Sequence, residues 1–154
     1  GCGSGIMSVF FSMSGVRTTI ACDRDVEVLK KARETSSAWK ADVRFENQDL
    51  FHFKYPADSF DAVFSQGVLE HFSDEEIRAA CQEALRVSPV FIFSVPGYYY
   101  KHKDFGNERL LKDKDWEVIL SGCGSLRLVP YFKKRVKRNF LIKRPLMLMG
   151  ILSR

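Results

Sequence analysis

The stretch GCGSG at positions 1–5, followed by the apolar run TTIAC at 18–22 and then Asp23, decides the fold of this chain. Glycines allow a tight turn and a close backbone approach, and they leave amide N–H groups facing a polar ligand. A carboxylate at the end of the next strand supplies paired acceptors for ribose hydroxyls. In dinucleotide-binding units this acid follows the glycine turn by roughly 20 residues. The pattern therefore predicts a nucleotide-binding α/β unit.

A glycine turn taken alone is also typical of an ordinary loop at the start of a helix. In a Rossmann-type unit the turn follows a first strand, and no residues precede Gly1 in this sequence. We therefore expect the 154 residues to form a single domain, cut from a longer protein and lacking its first strand.

Composition fits one globular domain. The chain is 45% hydrophobic and 13% aromatic, which suffices for a substantial core. No stretch approaches the roughly 20 apolar residues of a membrane span, and no signal peptide is visible, so a cytoplasmic location is expected. The four cysteines are widely spaced, which predicts reduced thiols and no metal site.

Positive charge is concentrated in the segment that begins at Lys133 and ends at Arg144, which holds seven basic residues and no acid. Elsewhere 19 acidic residues outnumber the 17 basic ones. Such a segment could contact nucleic acid or an anionic membrane. We favour a solvated connection between two edge strands, because no aromatic ladder or nucleic-acid motif accompanies the charges.

Strands and helices alternate along the chain, which favours a mostly parallel sheet with helices on both faces and an antiparallel last strand, a Rossmann-like three-layer α/β sandwich. Asp25 and Ser73 are predicted helix N-caps, and Pro89 ends the second of these helices. Helices are expected over 4–13, 25–37, 73–86 and 112–120, and strands over 18–22, 43–46, 59–65, 90–95, 125–132 and 146–152.

Four segments in this order resemble the class I S-adenosylmethionine-dependent methyltransferases. GCGSG at 1–5 is similar to the cofactor loop, TIACD at 19–23 to the ribose-binding strand, and NQDL at 47–50 to the adenine corner. The most specific segment is FDAVFSQGVLEHF at 60–72. The resemblance covers the chain from its first glycine onward and implies methyl transfer from S-adenosylmethionine.

The resemblance also implies residue roles. The glycines would lie against the amino-acid part of the cofactor, Asp23 would accept both ribose hydroxyl protons, and Asp49 with Leu50 would bind adenine. Residues 65–67 would lie beside the methionine moiety. The cofactor-binding set implied in this way is Gly1, Cys2, Gly3, Gly5, Asp23, Arg24, Asp49, Leu50, Ser65, Gln66 and Gly67.

Several of these residues have a second interpretation. Asp23 could be a strand-end turn residue, and Asp49 could cap the turn that leads to Phe51. His71 is the candidate catalytic base, although it could equally organise its loop. Nucleophilic catalysis by Cys2 is not favoured, since no His and Asp or Asn arrangement can be argued from the spacing.

The acceptor is expected to be a small molecule bound by the loop over 96–109, where Tyr98, Tyr99, Tyr100, Lys101, His102 and Lys103 collect. An ordinary surface loop explains these residues as well. Within this loop, GNERL at 106–110 resembles a segment of some family members. Two other functions stay open. An NAD-dependent oxidoreductase shares the glycine turn, although its third glycine usually falls where Ile6 stands, and a non-catalytic methyltransferase-like binding module is the other.

Overall fold

The computed structural model describes residues 1–100, 105–136 and 139–154, with side chains left undescribed over 133–136 and 139–144. The chain forms two compact units, Gly1–Lys54 and Tyr55–Arg154. Both units combine helices with parallel strand pairs, so the predicted α/β class is confirmed.

The first unit contains two helices and a two-stranded parallel sheet. Helix α1 spans Ile6–Met13, strand β1 Ile20–Asp23, helix α2 Val26–Trp39 and strand β2 Arg44–Asn47. Strands β1 and β2 pair in register from Ile20 with Arg44 to Asp23 with Asn47. Asp23 and Asn47 therefore end the two strands at the same edge of the sheet.

Local sequence explains where α2 begins. The Oδ1 atom of Asp25 accepts hydrogen bonds from the amides of Glu27, at 2.8 Å, and Val28, at 3.4 Å. These bonds satisfy two amides that have no partner within the helix, as a side-chain N-cap does. The predicted N-cap is confirmed, and the buried face of α2 carries Leu29 and Ala32.

The second unit contains a four-stranded sheet in the order β3-β4-β6-β5. Strands β3 and β4 are parallel, and β6 is antiparallel to both of its neighbours. Three strands thus run in one direction and only the last strand of the chain is reversed, as predicted. The elements are β3 Val63–Gln66, a short 3-10 helix Leu69–His71, α3 Asp74–Val87, β4 Val90–Pro96, α4 Asp113–Ile119, β5 Ser125–Val136 and β6 Asn139–Ser153.

Strand β4 lies at the centre of the core of this unit. Phe91, Phe93 and Val95 on this strand are fully buried. The ring of Phe93 packs against Trp116 of α4 at 5.2 Å between centroids, and its register partner on β6 is Gly150. A Cβ atom at position 150 would overlap the Phe93 ring, so the missing side chain makes room for the aromatic ring.

Helix α3 begins with a capping box that the sequence predicted. The Ser73 hydroxyl accepts from the Glu76 amide at 3.3 Å, and the Glu76 carboxylate accepts from the Ser73 amide at 2.8 Å. This reciprocal pair fixes the first turn of the helix. The fully buried residues Ile77, Ala80, Cys81 and Ala84 form its inner face.

The largest difference from the predicted elements concerns the basic segment. We predicted a solvated connection, whereas β5 and β6 continue into it, with Lys133 paired to Pro145 and Arg135 to Lys143. Antiparallel pairing uses backbone groups, so it can continue through a charged sequence. The alternative that was not favoured, contact with nucleic acid or an anionic membrane, depends on side chains that lie outside the described residues.

Two kinds of feature are absent from the described residues. None of the helices there is long and apolar enough to cross a membrane. All four cysteines lie in that part of the chain, and none of them forms a disulfide bond there.

Candidate functional site

The glycine loop of the first unit adopts a conformation that few other residues tolerate. Gly3 has φ 53° and Gly5 has φ 77°, both in the left-handed region. The Gly5 amide donates to the Cys2 carbonyl at 3.0 Å, which closes the turn. A Cβ atom on Gly5 would lie 2.9 Å from the Cβ of Ala32 on α2. Glycine at position 5 therefore allows both the turn and the close contact with α2.

Helix α1 starts directly at this turn. Gly5 is its N-cap, and within the described residues no side chain accepts a hydrogen bond from the first turn. The first N–H groups of a helix have no partner inside it, and the helix dipole favours an anion at this end. The loop can therefore bind a negatively charged group, such as the carboxylate that the resemblance assigns to it.

Asp23 lies beside the first glycine. Its side chain is largely buried, with one oxygen accepting from the Asp25 amide at 3.0 Å and the other 3.7 Å from the Gly1 nitrogen. That nitrogen also donates to the Cys22 carbonyl at 2.9 Å. The structure thus places a carboxylate against the glycine loop at the carboxyl end of β1. Asp23 also takes part in the strand-end turn that was its alternative interpretation.

Asn47 holds the ends of the two strands together. Its side-chain amide donates to the backbone carbonyls of Asp23, at 3.0 Å, and Arg24, at 2.9 Å. The side chain of Arg24 is exposed, so its described contact is through the backbone. Sequence reasoning included Asn47 in a motif but gave it no role, because its two acceptors lie on a different strand.

Asp49 is an exposed turn residue. Its Oδ1 atom accepts from the Phe51 amide at 2.9 Å, and its carbonyl accepts from the His52 amide at 3.1 Å. The alternative interpretation, a cap on the turn leading to Phe51, is therefore observed for one carboxylate oxygen. Leu50 beside it is half-buried. The predicted adenine contact of both residues stays a prediction.

The environment of Cys2 opposes its ionisation. Burial raises the pKa of this thiol, and the negative charge of Asp23 raises it further. A thiol with a raised pKa stays protonated at neutral pH and is a poor nucleophile. The raised pKa therefore does not favour Cys2 as a nucleophile.

In the second unit, residues 65–67 lie where β3 ends. Ser65 is half-buried, while Gln66 and Gly67 are exposed. Gly67 has φ 67°, and its amide donates to the Ser94 carbonyl of β4 at 2.9 Å. The chain therefore turns away from the sheet at Gly67, and the 3-10 helix that contains His71 follows directly.

His71 has a hydrogen-bond partner from a distant segment. Its Nδ1 atom lies 2.8 Å from the side-chain oxygen of Asn107, and its ring packs edge to face on Phe105 at 5.7 Å. His71 is half-buried. Asn107 was missed as a site residue, although its segment had been noted, since spacing along the chain does not show which residues it meets.

Arg109 fixes this segment against residues 70–74. Its backbone amide donates to the Glu70 carbonyl at 2.8 Å. Its guanidinium donates to the Phe72 carbonyl and to the Asp74 carboxylate, both at 2.6 Å. Three hydrogen bonds to positions 70, 72 and 74 leave little freedom to either segment. His71 is thus held between two anchored stretches of chain.

Two buried carboxylates lie close enough to His71 to interact with its charge. Glu70 and Glu108 are each less than 10% exposed, and each has one oxygen for which the described residues offer no hydrogen-bond partner. Burial raises the pKa of Glu70, against the opposing effects of its backbone amide and His71. Burial also opposes ionisation of Glu108, yet the backbone amides of Phe105, Glu108 and Gly106, together with His71, lower its pKa overall.

A surface cavity of about 310 Å³ lies at the carboxyl end of β4. Tyr98 and Tyr99 are 51% and 40% exposed there, and the Lys112 ammonium lies 4.9 Å from the centre of the Tyr98 ring. The cavity is lined by Gly97, Tyr98, Tyr99, Lys112, Asp113, Lys114, Pro130, Pro145, Met147 and Leu148. Lys101, His102 and Lys103, predicted for the same acceptor loop, lie outside the described residues.

The described side chains provide no cluster of three or more histidine, cysteine or acidic residues that could hold a metal ion.

Comparison with known proteins gives a match to a protein family. A family model described as "Methyltransferase domain" matches residues 1–88, more than half of the chain. The match contains the glycine loop, Asp23 and the segment over 60–72 that includes His71. No curated protein matches the sequence significantly.

Solved structures share the fold at low sequence identity. An S-adenosylmethionine-dependent methyltransferase from Methanosarcina mazei has a TM-score of 0.74 at 14% identity, covering 100% of this chain and 89% of that one. Magnesium protoporphyrin IX methyltransferase from Synechocystis PCC 6803, solved with S-adenosylmethionine bound, scores 0.66 at 20% identity, covering 99% and 67%. A [4+2]-cyclase scores 0.70 at 17% identity, covering 86% and 52%.

Proposed function

Because the chain belongs to the methyltransferase-domain family, we propose that it transfers a methyl group from S-adenosylmethionine to a small-molecule acceptor. When bound, S-adenosylmethionine supplies a methyl group already activated by a sulfonium centre. The protein then has to hold the cofactor, place the acceptor in line with the methyl group and, for some acceptors, remove a proton.

The observation that carries this proposal is the buried Asp23 carboxylate beside the left-handed glycine loop. A carboxylate has about four acceptor sites, and the hydrogen bond from the Asp25 amide uses one of them, so the Asp23 side chain has room to accept from two ribose hydroxyls. The loop offers backbone amides at the start of α1 for the cofactor carboxylate. The residues present therefore fit an adenosyl cofactor that carries an amino-acid group.

Further cofactor contacts are proposed for each unit separately. Asp49 has one carboxylate oxygen engaged in its turn, and the second oxygen would accept from the adenine amine, with Leu50 offering an apolar edge. In the second unit, Ser65, Gln66 and Gly67 would bind the methionine part through backbone groups at the end of β3.

The acceptor would occupy the cavity at the carboxyl end of β4. Tyr98, Pro130 and Met147 offer aromatic and apolar surface, and Lys112 offers a positive charge at the same place. Small-molecule sites are concave and mostly apolar with a few polar groups, which describes this lining. His71 is the residue proposed to take a proton from the acceptor.

The Asp23→Ala variant tests the cofactor site. Loss of two charge-assisted hydrogen bonds should weaken binding of S-adenosylhomocysteine by about 1 to 3 kcal/mol, roughly 5- to 150-fold. Titration calorimetry measures the affinity, and a thermal unfolding curve shows whether the variant is folded. Glu34→Ala, which removes an exposed carboxylate from α2, is the matched control and should bind like the wild type. Equal affinities of Asp23→Ala and wild type would remove Asp23 from the site.

Binding by itself would not establish methyl transfer. The [4+2]-cyclase shows that this fold also occurs in a protein described by a different reaction. The assay for the proposed reaction is therefore the transfer of a labelled methyl group to members of a small-molecule panel. A variant with a large side chain in the cavity, such as Gly97→Trp, serves for comparison.

A further inference from the structure

We propose that Asn107 is a positioning residue for His71, whose side-chain oxygen keeps a proton on His71 Nδ1 and so leaves the lone pair of Nε2 available to receive a proton. The inference rests on the proposed function, because it assumes that His71 removes a proton from the methyl acceptor.

The contact between Asn107 and His71 determines which ring nitrogen of His71 carries the proton. The side-chain oxygen of Asn107 lies 2.8 Å from Nδ1 of His71. An amide oxygen is only an acceptor, so Nδ1 must be the donor in this bond. A neutral imidazole carries one proton, so Nε2 then holds the lone pair. In other enzymes, a residue that accepts a hydrogen bond from Nδ1 of a histidine base selects its tautomer in the same way.

The segment that carries Asn107 is held rigidly against the segment that carries His71. Arg109, two residues after Asn107, makes three hydrogen bonds with positions 70, 72 and 74. Across Asn107, the Glu108 carboxylate accepts from the Phe105 amide at 2.7 Å, and the Phe105 ring packs against His71. The imidazole is thus oriented by a hydrogen bond at one atom and by an aromatic contact on its ring.

The surroundings of His71 and Asn107 are closely packed. Glu70, the chain neighbour of His71, and Glu108, the chain neighbour of Asn107, are each less than 10% exposed. Beyond them, Asp74 is paired with Arg109 at 2.6 Å. The two segments are therefore held together, which limits rotation of the imidazole away from Asn107.

The reaction balances with these groups alone. A nucleophilic atom of the acceptor forms a bond to the methyl carbon, and the carbon–sulfur bond breaks with its electron pair passing to sulfur. The proton that the acceptor loses goes to His71 Nε2, and His71 later releases it to water.

Nitrogen-15 NMR of the histidine ring tests the assignment without any activity measurement. In the wild type at neutral pH we expect His71 to carry its proton on Nδ1, while His52, an exposed residue of the first unit, serves as an internal reference. Asn107→Leu removes the acceptor and should shift His71 toward the Nε2-protonated form that free imidazole side chains prefer. Asn107→Asp keeps an acceptor oxygen and should retain the proton on Nδ1.

Kinetics test the consequence for the reaction. Asn107→Leu should lower kcat about 10- to 100-fold, a part of what a general base contributes, with the KM for S-adenosylmethionine unchanged. Asn107→Asp should recover most of kcat. Its carboxylate favours the imidazolium, so the acidic limb of its pH profile should move to higher pH.

The results distinguish a failure of the role assigned to Asn107 from a failure of the proposed methyl transfer. A wild-type His71 protonated on Nε2 overturns the assignment of Asn107, and so does an unchanged kcat in a folded Asn107→Leu variant with an altered tautomer. Absence of methyl transfer in the wild type overturns the proposed function instead. A tautomer change in Asn107→Leu would then still support Asn107 as the residue that positions the imidazole.

Discussion

Gly5 is under two independent constraints, one from its backbone and one from its surroundings. Its φ of 77° is unfavourable for residues with a side chain, and a Cβ atom there would meet Ala32 at 2.9 Å. Gly15 also has a left-handed φ, of 90°, but a Cβ atom at that position would meet nothing within 4 Å. The two glycines therefore separate backbone strain from steric overlap.

We expect Gly5→Ala to lower the free energy of unfolding by about 2 to 4 kcal/mol, because left-handed strain and overpacking add. Gly15→Ala should lose only the strain, about 1 to 2 kcal/mol. Urea unfolding of both variants measures the difference. Equal losses would show that the contact between Gly5 and α2 does not contribute to the stability.

Asp23 and Asp49 differ in how far their positions reveal their roles. Asp23 is buried against the glycine loop, so most of its possible neighbours are fixed by the fold. Asp49 is exposed and uses one oxygen for its own turn. A turn role is local and can be predicted from the sequence, whereas a ligand role for the second oxygen depends on the ligand itself.

At the scale of elements, local signals predicted the helix starts well. Asp25 and Ser73 cap α2 and α3 as expected, because the cap and the amides that it accepts from lie within three residues. The prediction for the first helix was less accurate. Helix α1 begins at Ile6 and not at residue 4, since the glycines before it take left-handed conformations.

Strand ends were harder to predict because they depend on partners. Strand β3 begins at Val63, four residues later than the apolar pattern indicated, because only Val63–Gln66 pair with β4. Strands β5 and β6 extend well beyond their apolar parts because they pair with each other. A strand ends where its neighbour ends, and a single sequence does not show that neighbour.

At the scale of the whole molecule, the buried Cys81 thiol makes the free energy of unfolding depend on pH in the alkaline range. Burial, with a smaller effect of Cys123, raises the pKa of Cys81 from 9.0 to about 12. Above pH 9 the unfolded chain loses this proton while the folded chain keeps it. The folded state then binds more protons, so its stability falls as pH rises from about 9 to 12.

We expect Cys81 to contribute a loss of about 1.4 kcal/mol per pH unit within this range. Cys81→Ala should show a shallower decline than the wild type, whatever its stability at neutral pH. Ile77→Val, which changes a non-titrating residue on the same buried face of α3, is the control and should decline like the wild type. Denaturant unfolding between pH 8 and 11 measures the slopes, and parallel curves for all three proteins would contradict the pKa of Cys81.

The sequence predicted the family through the resemblance of four segments to a known family, and it predicted the carboxylate beside the glycine loop through the spacing of Asp23 from the glycines. It did not predict the contact of His71 with Asn107, which joins residues 36 positions apart. It also did not predict that Arg109 bonds to residues on both sides of the start of α3. Such contacts depend on how a loop returns to the sheet, and no local pattern encodes that path.

The central claim is that this chain binds S-adenosylmethionine, and the most direct test is a calorimetric titration with S-adenosylhomocysteine beside one with NADH. The glycine loop, Asp23 and the family match predict saturable binding of S-adenosylhomocysteine and no binding of NADH. Binding of NADH alone would support the oxidoreductase interpretation and contradict this account. Binding of neither ligand would contradict it too and would favour a non-catalytic methyltransferase-like module.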